Sequence, residues 1–221
     1  MKKQILLLLT IVISTLSFAQ LTPSFGINAG LSSSGMRGES VDNLKNLLDF
    51  SNGKIKTLNR TGFYAGGYAS FPLDKMISIE PGIYYSQKGY ELKGGISVKG
   101  AEFLNANAKA QLQSNYLDLP LLLKINVNGF QVFAGPQFSY LLNADLKTSA
   151  GVLGFNLLKN TLDATAQFNR WDMAVTGGLG FKFTNGIYIS AAYDYGLSKV
   201  DANKNISSYN RAVKIGLGIN F

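Results

Sequence analysis

Residues 116–142 read YLDLPLLLKINVNGFQVFAGPQFSYLL. From Leu117 to Val127 every second residue is apolar (Leu117, Leu119, Leu121, Leu123, Ile125, Val127), while Asp118, Lys124 and Asn126 occupy the other phase. That is the period of a strand, because successive side chains of an extended chain point to opposite faces. Asn128-Gly129 tolerates positive φ and predicts a two-residue type I′ turn. A second run follows with Val132, Ala134, Pro136, Phe138 and Tyr140 on one phase and Gln131, Gly135, Gln137 and Ser139 on the other. Strands of about ten residues, apolar on one face and polar or small on the other, are the repeating unit of a transmembrane β-barrel.

The 221 residues are 46% hydrophobic, with 24 glycines, 11 tyrosines and 14 phenylalanines against five prolines, a balance suited to one β-rich domain. There is no cysteine, hence no disulfide framework and no thiolate metal site, and no histidine, the usual general base and commonest metal ligand. Lys2 and Lys3, the apolar stretch 5–18 and Ser17-Phe18-Ala19 read as a signal peptide over residues 1–19, leaving 20–221 as the barrel domain. No later stretch reaches the ~20 apolar residues of a membrane helix. Without Lys2 and Lys3, 19 basic residues face 13 acidic ones, a net charge of +6. In an exported chain the acidic partners are lipid phosphates and surface polysaccharide rather than nucleic acid, or the lysines simply solvate loops.

The same alternation recurs along the chain. It marks eight strands: from Phe25, over 61–71, 76–88, 117–127, from Phe130, over 170–183, from Ile187, and up to Phe221. Their connections alternate long and short, the short ones being 72–75, Asn128-Gly129 and 184–186. This predicts an all-β, eight-stranded, antiparallel up-and-down transmembrane barrel with short turns and both termini on the periplasmic side. In the first long connection, Val41, Leu44, Leu47 and Leu48 fall at helical spacing behind a Ser40 cap. They read as a surface helix, a plug or binding element being the alternative. Residues 101–113 read as partly helical, and 143–169 as a long loop with an apolar patch at Val152, Leu153, Phe155, Leu157 and Leu158, a candidate protein-interaction surface. Pro81, Pro120 and Pro136 fall inside strands, where each removes a ladder donor, and predict local irregularities.

Alternation also fits a soluble lipocalin-like carrier with its apolar face inward. The polar phase decides the matter, for it carries Glu80, Asp118, Lys124, Asp172, Lys182, Asp194 and Lys214 together with most strand glycines. On a solvated exterior such glycines weaken strands for no gain, whereas inside a narrow barrel they relieve crowding. The seven charged residues are therefore expected to form a structural ion-pair network in the lumen, with Glu80 and Lys124 brought together on adjacent strands. Aromatic girdles are expected at Phe71, Phe130, Phe183 and Phe221 near the short turns, and at Tyr85, Tyr140, Trp171 and Tyr193 at the other end.

The motifs Tyr84-Tyr85-Ser86-Gln87-Lys88-Gly89, residues 116–124 (YLDLPLLLK), Phe133-Ala134-Gly135-Pro136, Gly177-Gly178-Leu179-Gly180 and Tyr195-Gly196-Leu197-Ser198 resemble the PorT-like family of small outer-membrane β-barrels of Bacteroidota. The resemblance spans nearly all of the mature chain and implies an outer-membrane barrel; the family's namesake is implicated in type IX secretion, and no family catalytic residues exist to carry over. The expectation is a non-enzymatic, monomeric barrel without cofactor, in contact with outer-membrane lipid and lipopolysaccharide and with a protein partner at its outer loops. A ligand-binding or transport barrel is the alternative.

Overall fold

The computed structural model describes residues 22–39, 41–43, 55–98, 101–152, 155–203 and 207–221. The expected signal peptide, Ser40 and Leu44 to Leu48, and the Leu153 position of the apolar patch lie outside these residues. Nine strands are formed among them: β1 Ser24–Arg37, β2 Ile55–Pro72, β3 Ile77–Val98, β4 Ala101–Val127, β5 Phe130–Val152, β6 Phe155–Asp163, β7 Trp171–Lys182, β8 Ile187–Gly196 and β9 Tyr209–Asn220. Eight of them close on themselves in the order β1, β2, β3, β4, β5, β7, β8, β9, all antiparallel, with β1 paired to β9 from Gly26 with Asn220 to Arg37 with Tyr209. Closure leaves the ring no free edge, the condition for backbone amides to sit in lipid.

The apolar phase points out. Leu217 is 64% exposed and Ile215 66%, with Phe25, Leu31, Leu123, Val132 and Leu179 among the others on that face. The polar phase points in, and Asp118 is 0% exposed. A one-residue slip of any strand would exchange these faces, so the alternation itself fixes register. Asn128 (φ 52°) and Gly129 (φ 88°) form the type I′ turn expected of them. Asn185 does not share that geometry; only Gly186 is left-handed (φ 85°), and its amide donates to the Phe183 carbonyl, a three-residue turn instead. The start of β1 and the end of β9 meet at the short-turn end, where the Phe221 amide donates to the Phe25 carbonyl.

Two expectations are corrected. Residues 101–113 are strand, not helix: they pair with β3 on one side and β5 on the other, and this pairing overrides the helical preference of their Ala, Leu, Lys and Gln content. The long loop over 143–169 is likewise largely strand, being the upper part of β5, the hairpin partner β6 and a 3-10 turn at Thr165–Gln167. The local irregularities expected at the prolines take the form of lapses in pairing at Pro81 and Pro120, without a shift of register. Pairing of β3 with β4 lapses after Pro81 and resumes at Tyr84 in the same register, and pairing of β4 with β5 lapses between Pro120 and Leu123 in the same way. Each proline costs local hydrogen bonds while the inside–outside alternation holds the strands in line. Register does shift elsewhere, between Asn59 and Tyr64 and between Asn115 and Tyr116.

The result is a barrel carrying a tall extension. β4 has 27 residues, whereas a strand of about 9–11 residues crosses a bilayer. Residues 55–59 of β2, 90–98 of β3, 101–115 of β4 and 143–152 of β5, with β6, continue as one sheet beyond the ring, a fin roughly 45 Å long at ~3.3 Å per residue.

Inside the ring, glycine is used where opposing side chains need the room. A Cβ at Gly216 would collide with the Tyr64 hydroxyl and lie 2.8 Å from the Asn28 Oδ1, whereas a Cβ at Gly177 would find its nearest neighbour at 3.8 Å. Gly216→Val is expected to destabilise the barrel by about 1–3 kcal/mol through overpacking, and Gly177→Ala by less than about 0.5 kcal/mol. Urea unfolding followed by gel mobility without boiling measures both.

Candidate functional site

An eight-stranded ring has an interior just wide enough for its side chains to fill. From the short-turn end, the lumen is occupied layer by layer. Lys182 donates to the Asn220 Oδ1 (2.7 Å), and Asn220 in turn donates to Ser24 Oγ (3.2 Å). Above this, Lys124 Nζ lies 2.5 Å from Glu80 Oε2. The same ammonium stands 5.3 to 5.7 Å from the ring centres of Tyr188, Tyr68 and Phe133, within cation–π reach. A cavity of about 70 Å³ opens beside this pair, between Tyr64, Tyr84 and Gln137.

The central layer is a four-residue charge cluster. Lys214 Nζ is 2.6 Å from Asp194 Oδ2 and 3.5 Å from Asp118 Oδ2, and Lys88 Nζ is 2.9 Å from Asp118 Oδ1. Two ammonium groups thus face two carboxylates. Neutral groups add three hydrogen bonds to the cluster: Ser86 donates to Asp118 (2.7 Å), Lys88 donates to Ser139 (3.1 Å), and Thr176 donates to Asp194 (2.9 Å). Strands β9 and β4 stand on opposite walls of the ring, so Lys214 and Asp118 tie one wall to the other across the axis.

Asp172 occupies the next layer, held by neutral donors: Asn210 Nδ2 (2.7 Å) and Ser198 Oγ (2.7 Å), whose oxygen in turn accepts from the Met173 amide. Asn210 also approaches the Tyr116 hydroxyl across the lumen at 3.4 Å. The mouth opposite the short turns is filled by an apolar cap of Met36, Leu112, Tyr116, Leu141, Ala144 and Val200, against which Val41, Tyr90 and Phe168 pack. Val200 comes from the connection between β8 and β9 and is pinned there by the Asn169 amide donating to its carbonyl (2.9 Å) and by its own amide donating to Ser208 (2.9 Å).

All seven charged residues expected in the lumen face it, yet Asp172 and Lys182 form no ion pair among the described residues. Lys88, Asn210 and the apolar cap were not anticipated. Alternation carries the signal for Lys88, which continues the phase of Glu80, Gly82, Tyr84 and Ser86. The girdle residues lie on the outward phase, with Tyr140 and Trp171 edge to face at 5.0 Å. Of the apolar patch, Leu158 is exposed on the fin, at one end of a 530 Å³ groove lined by Leu92, Ala108, Ala110 and Ala150. The fin's other face is charged. Glu91 receives Lys109 (2.7 Å) and Lys93 (3.0 Å), and although its partial burial opposes ionisation, these two ammonium groups hold its carboxyl below the ordinary range.

Removing one member of a buried charge cluster leaves its partner uncompensated, which typically costs about 3–5 kcal/mol. Asp118→Asn is expected to lose about that much in denaturant unfolding of the folded barrel, because two ammonium groups lose their shared carboxylate. The double variant Asp118→Asn/Lys88→Met should recover part of the loss. Lys182→Gln, at the half-exposed end of the lumen, should stay within about 0.5 kcal/mol of wild type.

Comparison with known proteins gives a family and several similar folds. Residues 18–202 match the model of the outer membrane protein beta-barrel domain. Among solved structures, Ail, the attachment invasion locus protein of Yersinia pestis, in complex with the heparin analogue sucrose octasulfate, is 16% identical with a TM-score of 0.43, covering 91% of this chain and 100% of that one. Neisserial surface protein A is 12% identical with a TM-score of 0.39, covering 90% and 98%. The translocator domain of the autotransporter NalP from Neisseria meningitidis is 12% identical with a TM-score of 0.28, covering 96% and 93%. No curated protein matches the chain. With a closed ring, an apolar exterior and a family match over most of its length, the chain belongs to the outer membrane protein beta-barrel domain family and resides in an outer membrane.

Proposed function

We propose that this barrel is a non-enzymatic surface protein whose working part is the fin, presented outside the cell by a plugged membrane anchor with both termini in the periplasm. The observation that carries this reading is the contrast between the two halves of the molecule. The lumen spends its polar groups on one another and is crossed by contacts between opposite walls, whereas the fin holds exposed side chains on a hydrogen-bonded sheet with no counterpart in the membrane. A transport role fits this poorly, because Lys214, Asp118, Asn210 and Tyr116 stand where a solute would pass.

Catalysis fits poorly as well. The sequence offers no histidine or cysteine, and the lumen carboxylates Asp118, Asp194 and Glu80 are each matched to a lysine. The exposed aromatics mark two membrane boundaries, with Phe130, Phe183 and Phe221 at the short-turn end and Trp171 and Tyr193 toward the fin. The PorT-like kinship suggested by the motifs at 84–89 and 116–124 belongs to the same reading. A part in secretion would then run through a protein partner at the fin rather than through the lumen.

Shortening the fin tests this. Replacing residues 91–111 and 147–161 by two-residue turns rejoins Tyr90 to Leu112 and Leu146 to Leu162, which face each other in the sheet. The expected outcome is a barrel that still shows heat-modifiable mobility and outer-membrane recovery but loses its surface phenotype or partner. An unchanged phenotype would sink the proposal.

A further inference from the structure

The outward face of the fin carries a ladder of lysines. The strand register sets Lys93, Lys109, Ser149 and Lys159 in one row across β3, β4, β5 and β6. The adjoining outward row is Glu91, Gln111, Lys147 and Thr161. Glu91 is already bound by Lys93 and Lys109, and Lys147 donates to the neutral Gln113 Oε1 (2.9 Å). Within these two rows, among the described residues, Lys93, Lys109, Lys147 and Lys159 therefore share one carboxylate, a local surplus of positive charge on a hydrogen-bonded surface. Neighbouring strands about 4.8 Å apart give it a regular spacing.

The position of this face restricts what it meets. It continues the phase that faces lipid lower down, so it looks out over the surrounding leaflet rather than across the barrel mouth. Lys93 lies eight residues above the girdle residue Tyr85, a rise of about 20 Å for a tilted strand. Headgroup phosphates sit at the girdle. Between them and the lysines comes the next outward row, where Asp145 faces Asp163. Both carboxylates are used locally, Asp145 by Asn143 Nδ2 (3.1 Å) and Asp163 by the Thr165 amide (2.8 Å). This acidic row disfavours simple lipid phosphates, so the complement of the lysines lies higher, in the saccharide zone.

We propose that the lysine face of the fin binds the acidic, phosphorylated saccharide of the glycolipid in the barrel's own leaflet. The proposal rests on the reading of the fin as the working surface and names its partner. Polyanion binding of this kind is screened by salt, because each lysine that meets a phosphate releases counterions.

The test uses the folded mature chain in zwitterionic detergent, immobilised and titrated with three probes: lipopolysaccharide with a phosphorylated core, the same material after removal of its phosphates, and heparin oligosaccharide. Wild type is expected to bind the phosphorylated form with an affinity that falls as salt rises. The K93Q/K109Q/K147Q/K159Q variant, with heat-modifiable mobility retained, should bind it at least tenfold more weakly, and dephosphorylation should weaken wild type to a similar degree. Equal binding by wild type and variant would overturn the proposal. So would lysine-dependent binding of heparin without binding of the glycolipid, which would assign the face to a soluble polyanion. If the fin deletion abolishes the surface phenotype while the glutamine variant still binds glycolipid, only this inference fails; if the deletion leaves the phenotype intact, the broader reading fails.

Discussion

The width of the ring governs the rest of the molecule. Eight strands bring opposite walls within reach of a single pair of side chains, so Lys214 on β9 touches Asp118 on β4 and Asn210 on β9 approaches Tyr116 on β4. A polar group pointing inward in so small a space has little water to turn to and must be satisfied by another residue. Six of the lumen charges accordingly come as mutually compensating sets, Glu80 with Lys124 and Lys88, Asp118, Lys214 and Asp194 together, while Asp172 and Lys182 are held by neutral partners. Such a network contributes little net stability over an apolar filling, but it is intolerant of losing one member. It also sorts the two phases of every strand, since a slipped strand would carry its charges into lipid.

That constraint explains why much of the fold was legible. Leu117 to Val127 announces both the strand and its faces, and the charged phase that includes Asp118 and Lys214 points into the ring. The partners were less legible. Glu80 and Lys124 lie on neighbouring strands, close enough in register to be paired on paper, whereas Lys214 and Asp118 are 96 residues apart on opposite walls, a contact set by the circumference of the ring. Asp172 shows the converse: its phase was readable, but its neutral partners Asn210 and Ser198 come from segments whose meeting depends on closure.

The fin was hidden for a different reason. Gly89 looks like the end of a strand, yet its positive φ (142°) lets β3 continue past a site where a Cβ would strike the Leu112 carbonyl. Residues 101–113 are rich in helix formers and read as helix until β3 and β5 are placed on either side of them. Composition describes local preference, and here pairing on both edges outweighs it. What reads from sequence as a partly helical stretch at 101–113 and a loop at 143–169 is in large part a single sheet, apolar and grooved on one side and lysine-bearing on the other.

The central claim is that the apolar phase faces lipid and the charged phase a packed, closed lumen. The natural absence of cysteine makes this directly measurable, since single cysteines at Leu217, Leu123 and Ser190 can carry nitroxide labels in reconstituted bilayers. At positions 217 and 123 the label should collide readily with oxygen, which concentrates in lipid, and rarely with a water-soluble nickel chelate, while the label at position 190 should be shielded from both. Frequent collision with the nickel chelate at 217 and 123, together with oxygen access at 190, would reverse the two faces and contradict the account.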